Sequence, residues 1–520
     1  MLRKMFGLVV LAAVMILVLS FPYSHAPAAY AAGTIYYVDS VNGNDGFSGT
    51  SQTAAWKTLS KVNATTFQPG DQILFKAGGM WTGKLSPKGS GVSGSPIVIN
   101  QYGSGNKPII NGGGLINTGA VHLYNQQYWE IYNLEITNKG TLAGQKMGVS
   151  IEAKDIGTLN HIYLKNLVIH DVNGLQTDKQ NGGIWVHTFG NQVQSKFNDI
   201  QIMNNTVYNT DRAGIVVTSD WWCNPDVVTC GATRPAYYPS TNVVVSHNYV
   251  YSLGGDGISI RDTTSPLVEY NVVHDANARS GTHNNAIWTY NATNAIVQYN
   301  EAYLTRTTKD GHGFGLDYLQ TGAVFQYNYS HDNEGGFAAV YSDGSWAPQS
   351  NKNSVIRYNI SQNDKTRIFS WYGPTTDTLV YNNTVYNSNK RVKVLDLINW
   401  SGYAKNITLS NNIIYNTGSM SYAISNGTNL NFKNNNFFGV TPPSGSNVTI
   451  TGTTTVDPKL VSPGTGAIGR TTVDGYKLQP TSPLIHAGVV IANNGGQDYW
   501  GTPVSSTNNP NIGAFNGYNP

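Results

Sequence analysis

Short runs of alternating apolar and polar residues recur along most of this chain. Residues 296–300 read Ile-Val-Gln-Tyr-Asn and residues 324–328 read Val-Phe-Gln-Tyr-Asn. Alternation with a period of two is typical of a β-strand with one buried face, and the segments between such runs lack the 3.6-residue period of an amphipathic helix. The pattern therefore predicts an all-β protein built from many short strands.

An asparagine follows these runs at regular intervals, and its spacing of about 30 residues is typical of a solenoid or a propeller. A propeller blade needs four strands in about 40–45 residues and its own signature, which this chain lacks. Asparagine tolerates left-handed backbone and can hydrogen-bond to its copy one coil away, so we expect an internal ladder along a parallel β-helix. The eleven positions are Asn133, Asn166, Asn205, Asn248, Asn271, Asn300, Asn328, Asn359, Asn383, Asn412 and Asn435.

The two ends of the repeat region carry further motifs. The opening contains Tyr-Tyr-Val-Asp at residues 36–39 and Trp-Lys-Thr-Leu at residues 56–59, and the close contains residues 482–488 and 512–514. Together with the repeats, these motifs resemble the pectin lyase superfamily over about residues 35–515. The resemblance implies an all-β, single-stranded, right-handed parallel β-helix, a solenoid of about 11 or more coils. We see no linker that would separate a second domain.

The composition narrows the functional class. Charged residues make up only 12% of the chain and glycine accounts for 56 of 520 residues, which excludes coiled coils, helical repeats and charged disorder. The net charge of +3 includes Arg3 and Lys4, and no basic patch remains that would favour nucleic acid. We therefore expect no nucleic-acid partner.

The first 32 residues have the pattern of a secretory signal peptide. A basic start precedes an apolar run over residues 6–21 and a small-residue exit at residues 29–32, as in cleaved leaders. The alternative is an uncleaved membrane anchor. We expect residues 1–32 to be removed, residues 33–520 to form one β-helix domain, and the mature protein to be extracellular, free of the membrane and monomeric.

The two cysteines lie seven residues apart. Cys223 and Cys230 flank Pro225 and follow Trp221 and Trp222. Export favours a local disulfide, and two thiols alone do not suffice for a metal site. We expect the bridge to close the segment 221–239 as a wall over a cleft.

Aligning the strands that precede each asparagine predicts two outward rows of side chains. The alignment takes Ile184, Ile215, Ile258, Ile287, Phe314 and Phe337 as inward residues. The first outward row is then His187, Thr218, Arg261, Tyr290, Asp317 and Val340, and the neighbouring row is Trp185, Val216, Ser259, Trp288, Gly315 and Ala338. Because sugars pack their apolar faces on aromatic rings, Trp185 and Trp288 are candidate stacking residues. The alternative is that they pack beneath a loop.

Carboxylates concentrate around the same strands. Hydrolysis of a glycosidic bond needs one protonated carboxyl and one carboxylate that activates water or attacks carbon. Asp317, Asp310 and Asp256 are the candidate catalytic residues. The alternative for Asp256 and Asp310 is an Asx turn at a coil corner. The candidate substrate-binding residues are Trp185, His187, Arg261, Trp288, Tyr290, His312 and Glu334.

The acidic region also resembles a group of enzymes. Residues 285–288, Asp310-Gly311, Asp317 and residues 326–333 resemble secreted bacterial β-helix enzymes near glycoside hydrolase family 141. Those enzymes commonly carry an Asp-x-Asp pair. In this chain Gly315 replaces the first aspartate of the pair, and Asp317 corresponds to the second. The resemblance implies a polysaccharide substrate and a glycoside hydrolase.

Two other functions stay open. A polysaccharide lyase could use Arg261, Tyr290, His187 and Lys309 for β-elimination, with calcium held by Asp256, Asp262 and Asp310. A non-catalytic surface β-helix would show no converging titratable groups. The hydrolase is favoured because the cleft has more carboxylates than cations, and it requires no cofactor or metal.

Overall fold

The computed structural model describes residues 33–223, 236–345 and 351–518. Their strands wind into a solenoid in which each coil contributes to three faces, and the pairings between successive strands of a face are all parallel. Apolar side chains from all three faces fill one continuous interior. The predicted all-β parallel β-helix is confirmed.

The first face contains Thr118–Tyr124, Lys146–Lys154, Gly182–Phe189, Ala213–Ser219, Ile258–Thr264, Ile287–Thr293, His312–Leu316, Gly336–Tyr341, Arg367–Tyr372, Val392–Ile398 and Met420–Ala423. The second face contains Ile35–Val38, Gln72–Lys76, Ile97–Tyr102, Trp129–Tyr132, Thr158–Lys165, Lys196–Met203, Ser240–Ser246, Leu267–Glu269, Ile296–Gln298, Val324–Gln326, Val355–Arg357, Thr376–Tyr381, Lys405–Ser410, Thr428–Lys433 and Val448–Thr451. The third face contains Met80–Thr82, Ile109–Asn111, Glu135–Asn138, Val168–Val172, Thr206–Thr210, Tyr249–Tyr251, Val272–His274, Glu301–Tyr303, Tyr329–His331, Ile360–Gln362, Thr384–Asn387, Ile413–Asn416 and Asn436–Phe438. Two short strands, Gln320–Thr321 and Asn351–Lys352, join the first face to the second.

One α-helix, Leu59–Ala64, departs from the all-strand prediction, and two 3₁₀ turns, Gln52–Ala54 and Asp474–Tyr476, accompany it among the described residues. The helix begins where the Thr58 side chain accepts a hydrogen bond from the Lys61 N–H, as capping threonines do. It buries Leu59 and Val62 against the first coils. This six-residue helix is too short for a 3.6-residue period to be recognised in the sequence.

The asparagine ladder is present and lies between the second and third faces. Each rung has the same geometry: the side-chain oxygen of Asn328 accepts both the backbone N–H and the amide of Asn300, at 2.9 and 3.1 Å. The Asn328 amide in turn reaches Asn359 at 3.0 Å and the Val297 carbonyl at 2.9 Å. Because these atoms are buried, the ladder satisfies polar groups that water cannot reach. Its members are Asn205, Asn248, Asn271, Asn300, Asn328, Asn359, Asn383, Asn412 and Asn435.

The prediction was wrong on two details of this ladder. Asn133 and Asn166 stand one position before the ladder site, which buried Leu134 and Leu167 occupy in their coils. The left-handed conformation also belongs to that preceding position, as in Asn133 with φ of 55°. A side chain that bonds along the solenoid must point inward, and the sharp corner before it carries the positive φ.

The C-terminal segment, residues 457–518, folds back along the outside of the middle coils. The Gln362 amide donates to the Gly466 carbonyl at 2.9 Å, and Asn411 donates to the Val489 carbonyl at 2.9 Å. A separate apolar cluster joins Tyr329 and Ile413 of the coils to Leu484 and Ile512 of the segment. The segment therefore covers the side of the middle coils that lies away from the first face.

Two predictions fall partly outside the described residues. The proposed leader, residues 1–32, lies there entirely, and so does Cys230, so the signal peptide and the Cys223–Cys230 bridge stay predictions. Among residues 33–223, 236–345 and 351–518, no helix has the length and apolar character needed to cross a bilayer.

Replacing one mid-ladder asparagine should destabilise the fold. In Asn328→Ala, the Asn300 backbone N–H and amide both lose their acceptor, and we expect the free energy of unfolding to fall by about 2–4 kcal/mol. Chemical denaturation followed by tryptophan fluorescence measures the change. Asn431, which is partly exposed and bonds to Asn429, provides the control, since Asn431→Ala should change stability by less than about 0.5 kcal/mol. Equal effects of the two substitutions would disprove a stabilising ladder.

Candidate active site

Two adjoining pockets open on the first face. The first encloses about 260 Å³ and is lined by Lys179, Asp256, His283, Asn284, Asn285, Trp288, Asp310, Asp317, Tyr318, Tyr341, Tyr372 and Trp400. The second encloses about 360 Å³ and is lined by Lys179, Thr218, Ser219, Trp222, Arg261, Asp262, Trp288, Tyr290, Asp317 and Tyr318. The four residues common to both, Lys179, Trp288, Asp317 and Tyr318, form the boundary between them. A ligand that spans both pockets must pass Asp317.

Asp317 directly follows the strand His312–Leu316, where the backbone is firmly held. Its N–H donates to the Thr289 carbonyl at 2.9 Å, and its own carbonyl accepts from the Gln320 side chain at 2.7 Å. The carboxylate accepts a hydrogen bond from the Tyr318 N–H at 2.9 Å. Burial raises the pKa of Asp317 to about 7, although that hydrogen bond and the charge of Lys179 act in the opposite direction. Such a carboxyl holds a proton near neutral pH.

Asp310 reaches the first pocket from the loop before the same strand. Gly311 adopts a φ of 68° there, and a Cβ at Gly335 would lie 1.5 Å from the Asp310 carbonyl oxygen. These two glycines therefore let the next coil pack directly against the loop. The Asp310 carboxylate lies 3.4 Å from Nδ1 of His283. A hydrogen bond to Asp310 raises the pKa of His283, which favours a charged imidazole beside the carboxylate.

Asp256 lines the same pocket and faces two cations of the protein. One carboxylate oxygen accepts the Asn285 N–H at 3.2 Å, and the other lies 3.5 Å from Nζ of Lys179 and 4.0 Å from Arg212. Burial lowers the pKa of Arg212, and the charge of Asp256 opposes that effect. Asp256 thus neutralises a buried cation and positions Asn285.

Trp288 forms the floor between the pockets. It is 4% exposed, and two cations lie over its ring: Nζ of Lys179 at 5.1 Å and the guanidinium of Arg261 at 4.6 Å from the centroid. Gly315 lies beside it, where an added Cβ would come within 2.7 Å of the Asn285 amide and 3.1 Å of Cβ of Trp288. An aspartate at this position, as in the Asp-x-Asp pattern, would collide with Asn285. The glycine therefore fits this pocket's own packing.

Aromatic rings line one side of both pockets. Tyr290 and Tyr318 meet edge to face at 5.1 Å, Trp400 follows at 6.0 Å from Tyr318, and Tyr341 stacks on Tyr372 at 4.6 Å. Burial raises the pKa of Tyr341 and of Tyr290 well above the usual value. Their hydroxyl groups therefore stay protonated and can donate hydrogen bonds to a sugar.

The sequence alignment missed Tyr341 because the last strand in it was placed one residue out of register. Phe314 pairs with Ala338, not with Phe337, and Leu316 pairs with Val340. Val340 is consequently buried in the core, and Tyr341 occupies the outward place beside Asp317. The identity of the apolar residues could not set the register here, since Phe337 is also buried.

Three predicted substrate-binding residues lie outside both pockets. Trp185 is 3% exposed and packs on Met147, Ala213 and Val216, which belong to the strands of the neighbouring coils rather than to a loop. His187 pairs with Asp220 at 3.0 Å and stacks on Phe189. Glu334 accepts the Thr307 N–H at 2.7 Å and lies 3.7 Å from Arg306, so it organises a coil corner.

His312 lies beneath the first pocket rather than in it. The ring is fully buried, with Nε2 at 2.9 Å from the Ser370 hydroxyl and Nδ1 at 3.5 Å from the Tyr341 hydroxyl. Burial lowers the pKa of His312 well below its usual value, so the ring is neutral. It contacts Tyr341 and not the pocket, which corrects the prediction that it binds substrate.

Several lining residues had no signal in the repeat pattern. Lys179, His283 and Asn284 lie in loops between coils, where strand alternation says nothing about direction. Trp222 lines the second pocket, and its carbonyl accepts the Asn291 amide at 2.7 Å. Residues 224–235 lie outside the described residues, so the wall formed by the segment 221–239 stays a prediction. Among the described residues, no group of three or more metal-ligating side chains comes together.

Comparison with known proteins agrees with this architecture. Residues 236–385 match the family model described as "right handed beta helix region". They contain all three catalytic candidates, Asp256, Asp310 and Asp317. The protein is a right-handed parallel β-helix. Its specific likeness to family 141 is not confirmed.

Three relatives illustrate what the chain resembles. A lacto-N-biosidase from Bifidobacterium longum subsp. longum is 31% identical over 444 residues, covering 68% of this chain and 27% of that protein. The crystal structure of a family 136 lacto-N-biosidase from Eubacterium ramulus shares 28% identity at a TM-score of 0.58, covering 68% of this chain and 64% of that one. The complex of XylC with xylose has 10% identity and a TM-score of 0.53 over 93% of this chain and 98% of that chain, a likeness of fold alone. This chain thus spans less than two thirds of the two lacto-N-biosidases.

The buried ion pair predicts different consequences for two pocket aspartates. Asp256→Asn leaves Arg212 without its counter-charge, and we expect the free energy of unfolding to fall by about 3–5 kcal/mol. Asp310→Asn removes a carboxylate whose ionic partner, His283, is largely exposed, so its stability should change by about 1 kcal/mol or less. Denaturation of both variants measures the contrast. A stable Asp256→Asn protein would show that the pair is not structural.

Proposed function

We propose that the protein is a glycoside hydrolase whose bond-cleaving centre lies at Asp317. The observation that carries this proposal is the contrast between two carboxyls in one pocket. Burial raises the pKa of Asp317 to about 7, while Asp310 lies beside an imidazole whose pKa it raises. Pairs of carboxyls with opposed environments are the basis of acid and base roles in glycosidases.

In this proposal each of the two carboxyls has one role. Asp317, at the boundary of the two pockets, donates its proton to the oxygen of the leaving group. Asp310, which lies beside His283, activates water or attacks the sugar carbon on the other side of the bond. The neutral hydroxyl groups of Tyr341 and Tyr290 orient sugar hydroxyls on the two sides, and Trp288 supplies an apolar floor.

The similarity to lacto-N-biosidases supports the reaction class and suggests the first substrate. We propose that the chain acts on oligosaccharides that end in a lacto-N-biose unit, with two pockets for the two sides of the cleaved bond. We also propose that it acts outside the cell, on the evidence of the leader-like residues 1–32.

The lyase alternative fits these positions less well. Of its proposed cation and base set, Arg261 and Tyr290 line the second pocket, but His187 is paired with Asp220 and Lys309 is exposed outside both pockets. A lyase needs its base, its neutralising cation and its acid around one sugar ring.

Removing either carboxylate should abolish hydrolysis. We expect Asp317→Asn and Asp310→Asn each to lower kcat by about 100- to 10,000-fold, since each loses one proton-transfer or nucleophilic group. Release of disaccharide from a lacto-N-biose-terminated oligosaccharide, followed by chromatography, measures the rate. Asp457→Asn, a change at an exposed aspartate outside both pockets, is the matched control and should keep full activity.

The same assay separates the two reaction classes. New reducing ends without ultraviolet absorbance of unsaturated uronate are expected for hydrolysis. Absorbance that rises with the reducing ends would identify a lyase, and unchanged rates in both aspartate variants would remove them from the mechanism.

The pH dependence should report the proton on Asp317. Because the acid must be protonated, kcat/KM should fall as the pH rises through about 7. The charge of Lys179 lowers the pKa of Asp317, so Lys179→Met should raise that pKa and move the alkaline limb to higher pH. The charge-matched control Lys365→Met, at an exposed lysine outside both pockets, should leave the limb in place. If the alkaline limb of the pH profile does not move in Lys179→Met, Asp317 is not the group whose titration produces it.

A further inference from the structure

The two pockets have different electrostatic character. The first contains Asp256 and Asp310, while the second contains Arg261 and the buried carboxylate of Asp262. Since Asp317 forms part of both walls, the two pockets hold the two sides of a bond that Asp317 cleaves. This assignment rests on the proposed function.

Arg261 is held in a fixed orientation by its Nε, and its two Nη groups remain available as donors. Its Nε donates to the Ser259 hydroxyl at 2.7 Å, and the guanidinium plane lies 4.6 Å from the Trp288 ring centroid. Across the described residues, no carboxylate lies within ion-pair distance of Arg261, and its two Nη groups donate no hydrogen bond to the protein. A guanidinium fixed in this way presents a planar pair of donors that matches a carboxylate.

The carboxylate nearest in sequence does not satisfy this arginine. Asp262 accepts the Asn291 amide at 2.7 Å on one oxygen and the Ser219 N–H at 2.9 Å on the other. Lys179, the other cation of the second pocket, already lies 3.5 Å from Asp256. Arg261 is therefore the cation of the second pocket whose charge is left for a ligand.

We propose that the second pocket is the leaving-group subsite and that Arg261 binds there the carboxylate of an acidic sugar, a uronic acid residue. The uronate would place its two oxygens against the two Nη groups of Arg261. Its ring would pack beside Tyr290, whose hydroxyl stays protonated. A neutral sugar would leave the guanidinium without its matching anion.

Binding of simple glycosides to the full-length chain tests this subsite without turnover. Ligand-observed NMR titration compares methyl glucuronide and methyl galacturonide with methyl glucoside and methyl galactoside. We expect a uronide to bind at least ten-fold more tightly than its neutral counterpart, with the preference falling as salt rises. Equal affinities, or no detectable uronide binding, would overturn the proposal.

Three variants locate the effect. Arg261→Met should remove the preference, Arg261→Lys should keep part of it because a lysine supplies a charge without the fork, and Ser259→Ala should weaken it several-fold by freeing the guanidinium. Lys365→Met, a loss of charge outside both pockets, should retain it. A preference that persists in a folded Arg261→Met protein would contradict the assignment. Because no hydrolysis is measured, this result is independent of the Asp317 and Asp310 rate tests.

Discussion

The position of each side chain on the first face depends on coils that stack without slipping. The asparagine ladder enforces this stacking, because Asn300, Asn328 and Asn359 each bond to both neighbours in a fixed order. A slip of one residue in a strand would turn its outward side chains inward. Asp317 and Asn328 belong to the same coil. The position of Asp317 beside Tyr290 and Tyr341 therefore depends on ladder hydrogen bonds that are buried between the second and third faces.

Much of the fold could be predicted because the sequence of a solenoid repeats with each coil. The ladder positions from Asn205 to Asn435 repeat at nearly every coil, and alternation alone identified the outward row that contains Arg261, Tyr290 and Asp317. Register failed at Phe337, where two neighbouring residues are both large and buried. Apolarity cannot decide between such residues, whereas the pairing of Leu316 with Val340 does.

The candidate site was predicted in part for a related reason. Residues on strands could be assigned a direction, and Asp317, Trp288 and Arg261 do line the pockets. Lys179 and His283 come from loops whose length varies between coils, so nothing in the repeat places them. Trp185 shows the opposite error: it lies in the same outward row as Trp288 but three coils away, where it packs against Met147 and Val216.

Three aspartates line the first pocket, and each has a different electrostatic environment because it contacts different residues. Asp256 has a buried arginine and a lysine as partners, so its charge is needed by the fold. Asp310 faces an exposed histidine, whose pKa it raises. Among the described residues, the Asp317 carboxyl accepts a hydrogen bond from the Tyr318 N–H, and burial favours its neutral form. Acid–base catalysis needs one carboxyl whose environment favours the neutral form more than that of its partner. The solenoid provides this difference because one strand ends, just before Asp317, at the boundary between the two pockets.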